Sequence, residues 1–501
     1  MLSSDHSDLE KSSALPQFTS LSTTRCNSPA PEPGFLSAEP NLVDGHVSTR
    51  EVDDDTDVDK HPLLKLPTWR KSVITFVASW MTFASTFSSA ALFPAVPEIA
   101  ADFGTSEEII NVTNAAVFLA MGTSTLIWGP LASIIGRRTA YIISGFMLFV
   151  SSIGMAVAPN LATFVAMRLL AAFEGTYFMV AGQTIIADLF IPTKRGTAVG
   201  FFMSGSVMGP ALGPCLGGII TSYASWRILF WTQTAMVGIG FILSVFFVPS
   251  VKTPSSEVGE STKRPSMLTM ENLAKFNPIN TFKMLRYPNI LLTDIACGFL
   301  AYPQYSLLIG PEYVINPRFH LNGSAVSGVF YFAPAVGFLT GSLIGGKFAD
   351  ITVKKWIKKR GMRLPQDRLN SGIYAFFIVV PVAYMIYGWV LEKEVGGLAV
   401  PVISIAFTGF GIMAAFNSLN TYCAEAIPAH RTEIMSTKYF IQYVFGATAN
   451  ATFLPLEKKI GIGLVSTIGA VLTILSGCIV ILVAKRGLVM QRWVEKSRTK
   501  N

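Results

Sequence analysis

The sequence predicts an all-α membrane protein whose twelve transmembrane helices form two pseudo-symmetric six-helix bundles. Three observations lead there. Apolar runs of about 20 residues, enough to cross about 30 Å of hydrocarbon as helix, recur twelve times from Ser72 onward. Lysine and arginine gather in alternate loops between the runs. Short motifs in the first six runs reappear at equivalent places in the second six, the mark of a transporter-like chain built from parallel repeats. Composition agrees: 51% of the 501 residues are hydrophobic and 14% charged, leaving more apolar surface than one water-facing core absorbs.

Residues 1–70 are rich in Ser, Thr and Pro and carry the acidic run Asp53, Asp54, Asp55, Asp57 and Asp59; they read as a disordered cytoplasmic tail. The first bundle occupies 71–249, with spans at 72–93, 112–134, 139–158, 161–187, 196–220 and 227–249. A polar stretch at 250–288, with Pro254, Ser255, Ser256, Lys263, Arg264 and Pro265, reads as a cytoplasmic central loop. The second bundle occupies 289–486, with spans at 289–310, 324–346, 370–391, 398–421, 433–455 and 461–484, and a cytoplasmic tail follows at 487–501.

Basic residues orient the spans. Arg137 and Arg138 follow span 2, Lys194 and Arg195 follow span 4, and Lys354, Lys355, Lys358, Lys359, Arg360, Arg363 and Arg368 follow span 8. The opposite loops hold only Arg227, Arg318, Lys393, Lys458 and Lys459, and the first of them is purely acidic, with Glu98, Asp102, Glu107 and Glu108. Both termini are therefore expected in the cytoplasm. The net charge of +8 reflects this topology and not a basic face for nucleic acid.

Other classes find little support. Cys26, Cys215, Cys297, Cys423 and Cys478 have no CxxC or metal-ligand spacing. No nucleophile–base pair, metal set or phosphate loop is visible, and His320 and His430 fall in loops. We expect no enzyme activity, no cofactor and no metal.

The duplication shows in detail. Gly129-Pro-Leu-Ala-Ser133, ending span 2, has its counterpart in Gly346-Lys-Phe-Ala-Asp350, ending span 8. Ile191-Pro-Thr-Lys-Arg195 matches Ile427-Pro-Ala-His-Arg431. Span 5 carries Gly205, Gly209, Gly213 and Gly217 with Pro210 and Pro214; span 8 carries Gly337, Gly341 and Gly345. A spacing of four keeps each set on one side of a helix, and small residues let helices approach closely in lipid. The expectation is that spans 5 and 8 pack on each other across the seam between the halves, with Gly209 facing Gly341.

With this architecture and these motifs, the chain resembles the major facilitator superfamily over about residues 70–486. The family's antiporter motif is matched by Gly200, Gly209, Gly213, Pro214, Gly217 and Gly218. Its helix 2–3 signature retains Gly129, Leu131, Ala132, Gly136, Arg137 and Arg138, but Ser133 replaces an aspartate that helps lock the inner gate, while Asp350 keeps the acid in the second copy. The resemblance, which extends to fungal twelve-helix drug:proton antiporters, implies proton-coupled export. Gate residues are then expected at Gly129, Arg137, Arg138, Asp350 and Lys438, and Arg168 resembles the arginine of the family's helix 4 motif, implicated in proton transfer.

An ionisable group inside lipid is costly unless paired or wet, so each starts as a functional hypothesis. Arg168 and Glu174 lie in span 4, Asp294 in span 7 and Lys438 in span 11. Glu174, Arg168 and Asp294 are the proton-coupling candidates: burial favours a neutral acid and a nearby cation favours the carboxylate. Glu174 neutralising Arg168 is the structural alternative, as is a static Asp294–Lys438 pair. Aromatic and amide groups make the cavity candidates: Tyr302, Gln304 and Tyr305, Asn417 and Asn420, and Gln442 and Tyr443. Asn111 and Asn322 fit the glycosylation pattern.

The expected activity is proton-coupled antiport that exports small organic molecules (drugs, toxins, metabolites or polyamines) by alternating access in a fungal plasma membrane. The expected partners are a small-molecule substrate, protons and the bilayer, with no nucleic acid, and a monomer is expected. The alternatives are an uptake symporter or a non-transporting sensor on the same fold.

Overall fold

The computed structural model describes residues 62–249, 279–310, 314–315, 318–319 and 330–498. Among them regular structure is wholly helical. The first half comprises α1 (Thr68–Ala91), α2 (Glu107–Ile135), α3 (Arg137–Ala156), α4 (Leu161–Leu189), α5 (Pro192–Tyr223) and α6 (Trp226–Phe247). The second comprises α7 (Pro288–Gly310), α8 (Phe332–Arg360), α9 (Val380–Lys393, entered through a 3₁₀ turn and a π turn), α10 (Ala399–Ala426) and the element Arg431–Arg498, which Gly461 breaks into α11 and α12. Seven of the described segments are long and apolar enough to cross a membrane, and the break divides the last of these into two arms. α1, α2, α7 and α8, at 24, 29, 23 and 29 residues, supply the remaining lengths. α12 stays helical to Arg498, past the hydropathy boundary at 484.

Local chemistry sets the ends. The Ser106 hydroxyl caps α2 through the Ile109 amide, the Asn160 carboxamide caps α4 through the Thr163 amide, and Pro192 opens α5, where its missing N–H costs no helical bond. Gly136 takes φ +89°, so α2 turns into α3 with no intervening loop; this explains the glycine of the Gly-Arg-Arg sequence.

The two halves pack alike. α1 lies on α5 and α6, α2 on α4, and α3 on α6; α8 lies correspondingly on α10, and α7 and α9 on the final element. The halves meet along α5–α8 and α2–α11, so the expected α5–α8 seam forms. Outside, large apolar side chains such as Leu119, Phe246, Ile351 and Phe407 are exposed around the bundle, as a lipid-facing surface requires.

The glycine stripes, however, do not make that seam. A side chain at Gly205, Gly209 or Gly217 would strike the α1 backbone or side chains at Ser79, Thr86 and Ala91, and one at Gly337, Gly341 or Gly345 would strike α10 at Ala406, Phe410 and Ala414. Gly209 therefore does not face Gly341. The contact across the seam is made by Gly196 and Gly200 against Gly346 and the Ser342 carbonyl. Helical angles explain it: nine residues separate Gly200 from Gly209, which turns them about 180° apart. The motif has two faces, one toward the other half and one toward α1. Gly213, Pro214, Gly217 and Gly218 are buried within it.

Candidate functional site

One end of the bundle is closed by ion pairs. Asp188, ending α4, binds Arg137 at 2.6 Å and also binds Arg431 at the start of α11. Glu425, ending α10, binds Arg195 of α5 at 3.0 Å, Arg368 at 3.1 Å and Arg363 at 2.6 Å. The pairing is reciprocal, since Arg195 and Arg431 close the two copies of the Ile-Pro-x-x-Arg repeat and each reaches the acid of the opposite half. Asp350 adds a third tie. One of its oxygens accepts from the Gly196 amide and from Arg368, each at 2.8 Å; the other accepts from the Thr197 amide at 2.8 Å and the Thr197 hydroxyl at 2.7 Å. A carboxylate of α8 thus binds the second turn of α5 through two backbone amides and a hydroxyl, all charge-assisted contacts. The side chain of Ser133, at the position corresponding to Asp350, lies outside the described residues.

Inward of this gate the halves stay in contact. The Ser342 hydroxyl donates to the Gly200 carbonyl at 2.6 Å, and Asn417 donates to the Ser342 carbonyl at 2.7 Å. On the other seam, Gly129 faces the Ser436 side chain, which lies against it closely. Gln183 of α4 donates to the Tyr439 hydroxyl of α11 at 2.6 Å, and the Asn420 amide lies 3.5 Å from the Met203 sulfur. These contacts form a floor.

Above the floor, between the halves, lies a cavity whose free space, counted together with the open solvent it meets, is about 940 Å³. It reaches the parts of α2 and α4 nearest the opposite end of the bundle, through Asn114 and Arg168. At that end Arg227 binds Asp102 at 2.7 Å and the Trp226 amide donates to Glu98. Rings from both halves line the cavity: Phe118 meets Tyr305 edge-on at 5.2 Å, and Tyr439 stacks on Tyr443 at 6.3 Å. Met121, Met179, Met203 and Met413 fill the space between with flexible, polarisable side chains.

Of the residues singled out in the sequence, Arg168, Gln304, Tyr305, Gln442 and Tyr443 line this cavity. Tyr302, Asn417 and Asn420 do not. Tyr302 bonds Thr452 at 3.3 Å, Asn417 braces the α5–α8 seam and Asn420 belongs to the floor. Glu174 is absent from the lining too; it is buried beside Ser144 of α3 and Trp128 of α2. Six residues separate it from Arg168, turning the two about 120° apart, and Arg168 instead donates to Thr113 at 3.0 Å and to Asn114. Glu174 does not neutralise Arg168.

The expected gate divides similarly. Arg137 and Asp350 belong to it, and Gly129 to the adjoining seam. Arg138 donates to the Val245 carbonyl at 2.9 Å and ties α3 to α6 within one half. Lys438 lies two turns beyond Arg431, fully buried, its ammonium 3.6 Å from the Tyr439 ring centre. Among the described residues neither the Lys438 ammonium nor the equally buried Asp294 carboxyl meets a hydrogen-bond partner, and the two stop short of an ion pair. Cys297 and Cys423 are near Lys438, and the described residues contain no metal-binding cluster. Asn111 falls in the second turn of α2, and Asn322 lies outside the described residues.

Sequence reasoning missed Asp188, Glu425 and Gln183 and gave Arg195 and Arg431 no part in a gate. The repeat held the signal: each acid stands two or three residues before a copy of the Ile-Pro-x-x-Arg motif.

The profile of the Major Facilitator Superfamily matches residues 78–451. The chain belongs to that superfamily. Among its relatives, an MFS antiporter of Candida albicans, QDR3, is 23% identical, covering 83% of this chain and 78% of its own. The efflux pump FUBT of Fusarium oxysporum is 24% identical, covering 82% and 71%. Among solved structures, the human organic anion transporter MFSD10 superposes with a TM-score of 0.63 at 14% identity, covering 83% of this chain and all of that one. This last likeness concerns the fold alone. As a superfamily transporter the chain is a multi-pass membrane protein that acts on small molecules.

Proposed function

We propose that this transporter is a proton-coupled antiporter that exports small organic molecules across a fungal plasma membrane, with both termini in the cytoplasm, working as a monomer. The observation that carries the reading is a cavity between duplicated halves that is sealed at the basic end and extends toward the other, as alternating access requires. Lysine and arginine at the sealed end support placing it on the cytoplasmic side. The names of the fungal relatives, an antiporter and an efflux pump, favour export. Residues 1–70 and 250–288 are then cytoplasmic segments.

For the proton we favour Asp294 over Glu174. Asp294 shares α7 with Gln304 and Tyr305, which line the cavity, and its neighbour Lys438 shares α11 with Gln442 and Tyr443. Binding and release of a proton there would be felt by both walls. Glu174 faces only its own half. The test uses the full chain in liposomes under an imposed pH gradient. Inward protons should drive outward substrate flux; Asp294→Asn should abolish the gradient's effect while leaving substrate exchange, and Glu174→Gln should keep both. Gradient-driven uptake would establish the symporter instead, and an absence of flux in any direction would favour a sensor.

A further inference from the structure

The charge of the cavity identifies a substrate class. Among the described lining residues, tyrosines apart, Arg168 is the ionisable group; the lining contains no aspartate, glutamate, lysine or histidine. Arg168 is 5% exposed, and its guanidinium donates to two neutral acceptors, the Thr113 hydroxyl and the Asn114 carboxamide. No carboxylate pairs with it among the described residues. The nearby acids are turned elsewhere: Glu174 toward Ser144 and Trp128, Asp294 toward Thr437 and Lys438.

A desolvated cation without a counter-ion is costly, and guanidinium presents five donors in a fork that matches a carboxylate. We infer that the cavity selects organic anions, an aromatic or amphipathic carboxylate whose charged group sits on Arg168 and whose apolar body rests among Phe118, Tyr305 and Tyr443. The methionines allow that body to vary. Polyamines and other organic cations are disfavoured, because the described lining offers rings but no acid to pair with them and places a like charge in their way. The inference rests on the transporter reading above. It also sets the energetics: an anion leaving while a proton enters carries positive charge inward twice over, so an inside-negative potential drives the exchange.

The test compares phenylacetate with phenylacetamide, phenethylammonium and acetate. Binding is measured by calorimetry on the purified full chain and efflux in liposomes with a set potential. Phenylacetate should bind about 10- to 100-fold tighter than the amide, the value of one charge-assisted contact, and acetate much more weakly for want of the ring. Arg168→Gln should collapse the acid-to-amide ratio to about one, whereas Arg168→Lys, which keeps a cation, should retain part of it and guards against misfolding of the first variant. Equal or tighter binding of phenethylammonium overturns the inference. So does an unchanged ratio in Arg168→Gln, acetate matching phenylacetate, or failure of all ring-bearing probes to bind. A preserved acid preference without gradient-driven efflux would leave the anion site standing and refute the export reading.

Discussion

Replacing Asp350 by asparagine tests whether the α8 carboxylate holds the inner side shut. Asp350 accepts four hydrogen bonds at 2.7–2.8 Å, three from the second turn of α5 and one from Arg368. A carboxamide keeps one acceptor oxygen and turns an NH2 group toward donors on the other side. Two charge-assisted contacts are lost, and Arg368 falls back on Glu425. At about 1–2 kcal/mol net for each, the closed arrangement loses about 2–4 kcal/mol, which shifts the closed-to-open ratio roughly 30- to 1,000-fold. The assay is pulsed EPR between spin labels at the exposed positions Lys194 and Lys354, on opposite sides of the seam, with the exposed Cys478 replaced. The variant should show a longer, broader distance distribution than the parent. If distances stay the same while thermal stability falls, Asp350 only stabilises the fold and the gate argument fails.

Two further experiments probe the same machinery. Gly200→Leu places a side chain on the Ser342 carbonyl and should prevent closure, lowering exchange at least tenfold while substrate binding persists; normal exchange would show that α5 and α8 do not need this approach. For Asp188 and Arg431, each about 10% exposed, a double-mutant cycle with Asn and Gln should give a coupling of about 1–3 kcal/mol in thermal unfolding, and additive effects would refute the clamp.

The spans, their division into halves and the basic end were legible because lipid demands long apolar runs and orients them by charge. The α5–α8 seam was legible as a pairing of helices but not residue by residue. Gly209 was assigned to it from spacing alone, when the nine-residue step from Gly200 already turned it to the opposite face. The same arithmetic separates Glu174 from Arg168. The cavity walls were partly legible: Gln304, Tyr305, Gln442 and Tyr443 are polar or aromatic groups in apolar spans, yet so are Tyr302 and Asn417, and composition does not reveal which way each side chain turns. The Asp188–Arg431 bond joins residues 243 positions apart. No local pattern encodes such a pair, although the repeated Ile-Pro-x-x-Arg motif marked one partner in each half.

The reciprocal clamp also bears on assembly. Arg195 with Glu425 and Arg431 with Asp188 act as complementary address labels, one acid and one base on each half. Recognition between the halves then resides in their own surfaces, and the connecting segment contributes chiefly effective concentration. Two polypeptides divided within 250–278 should find each other in the membrane and rebuild one carrier.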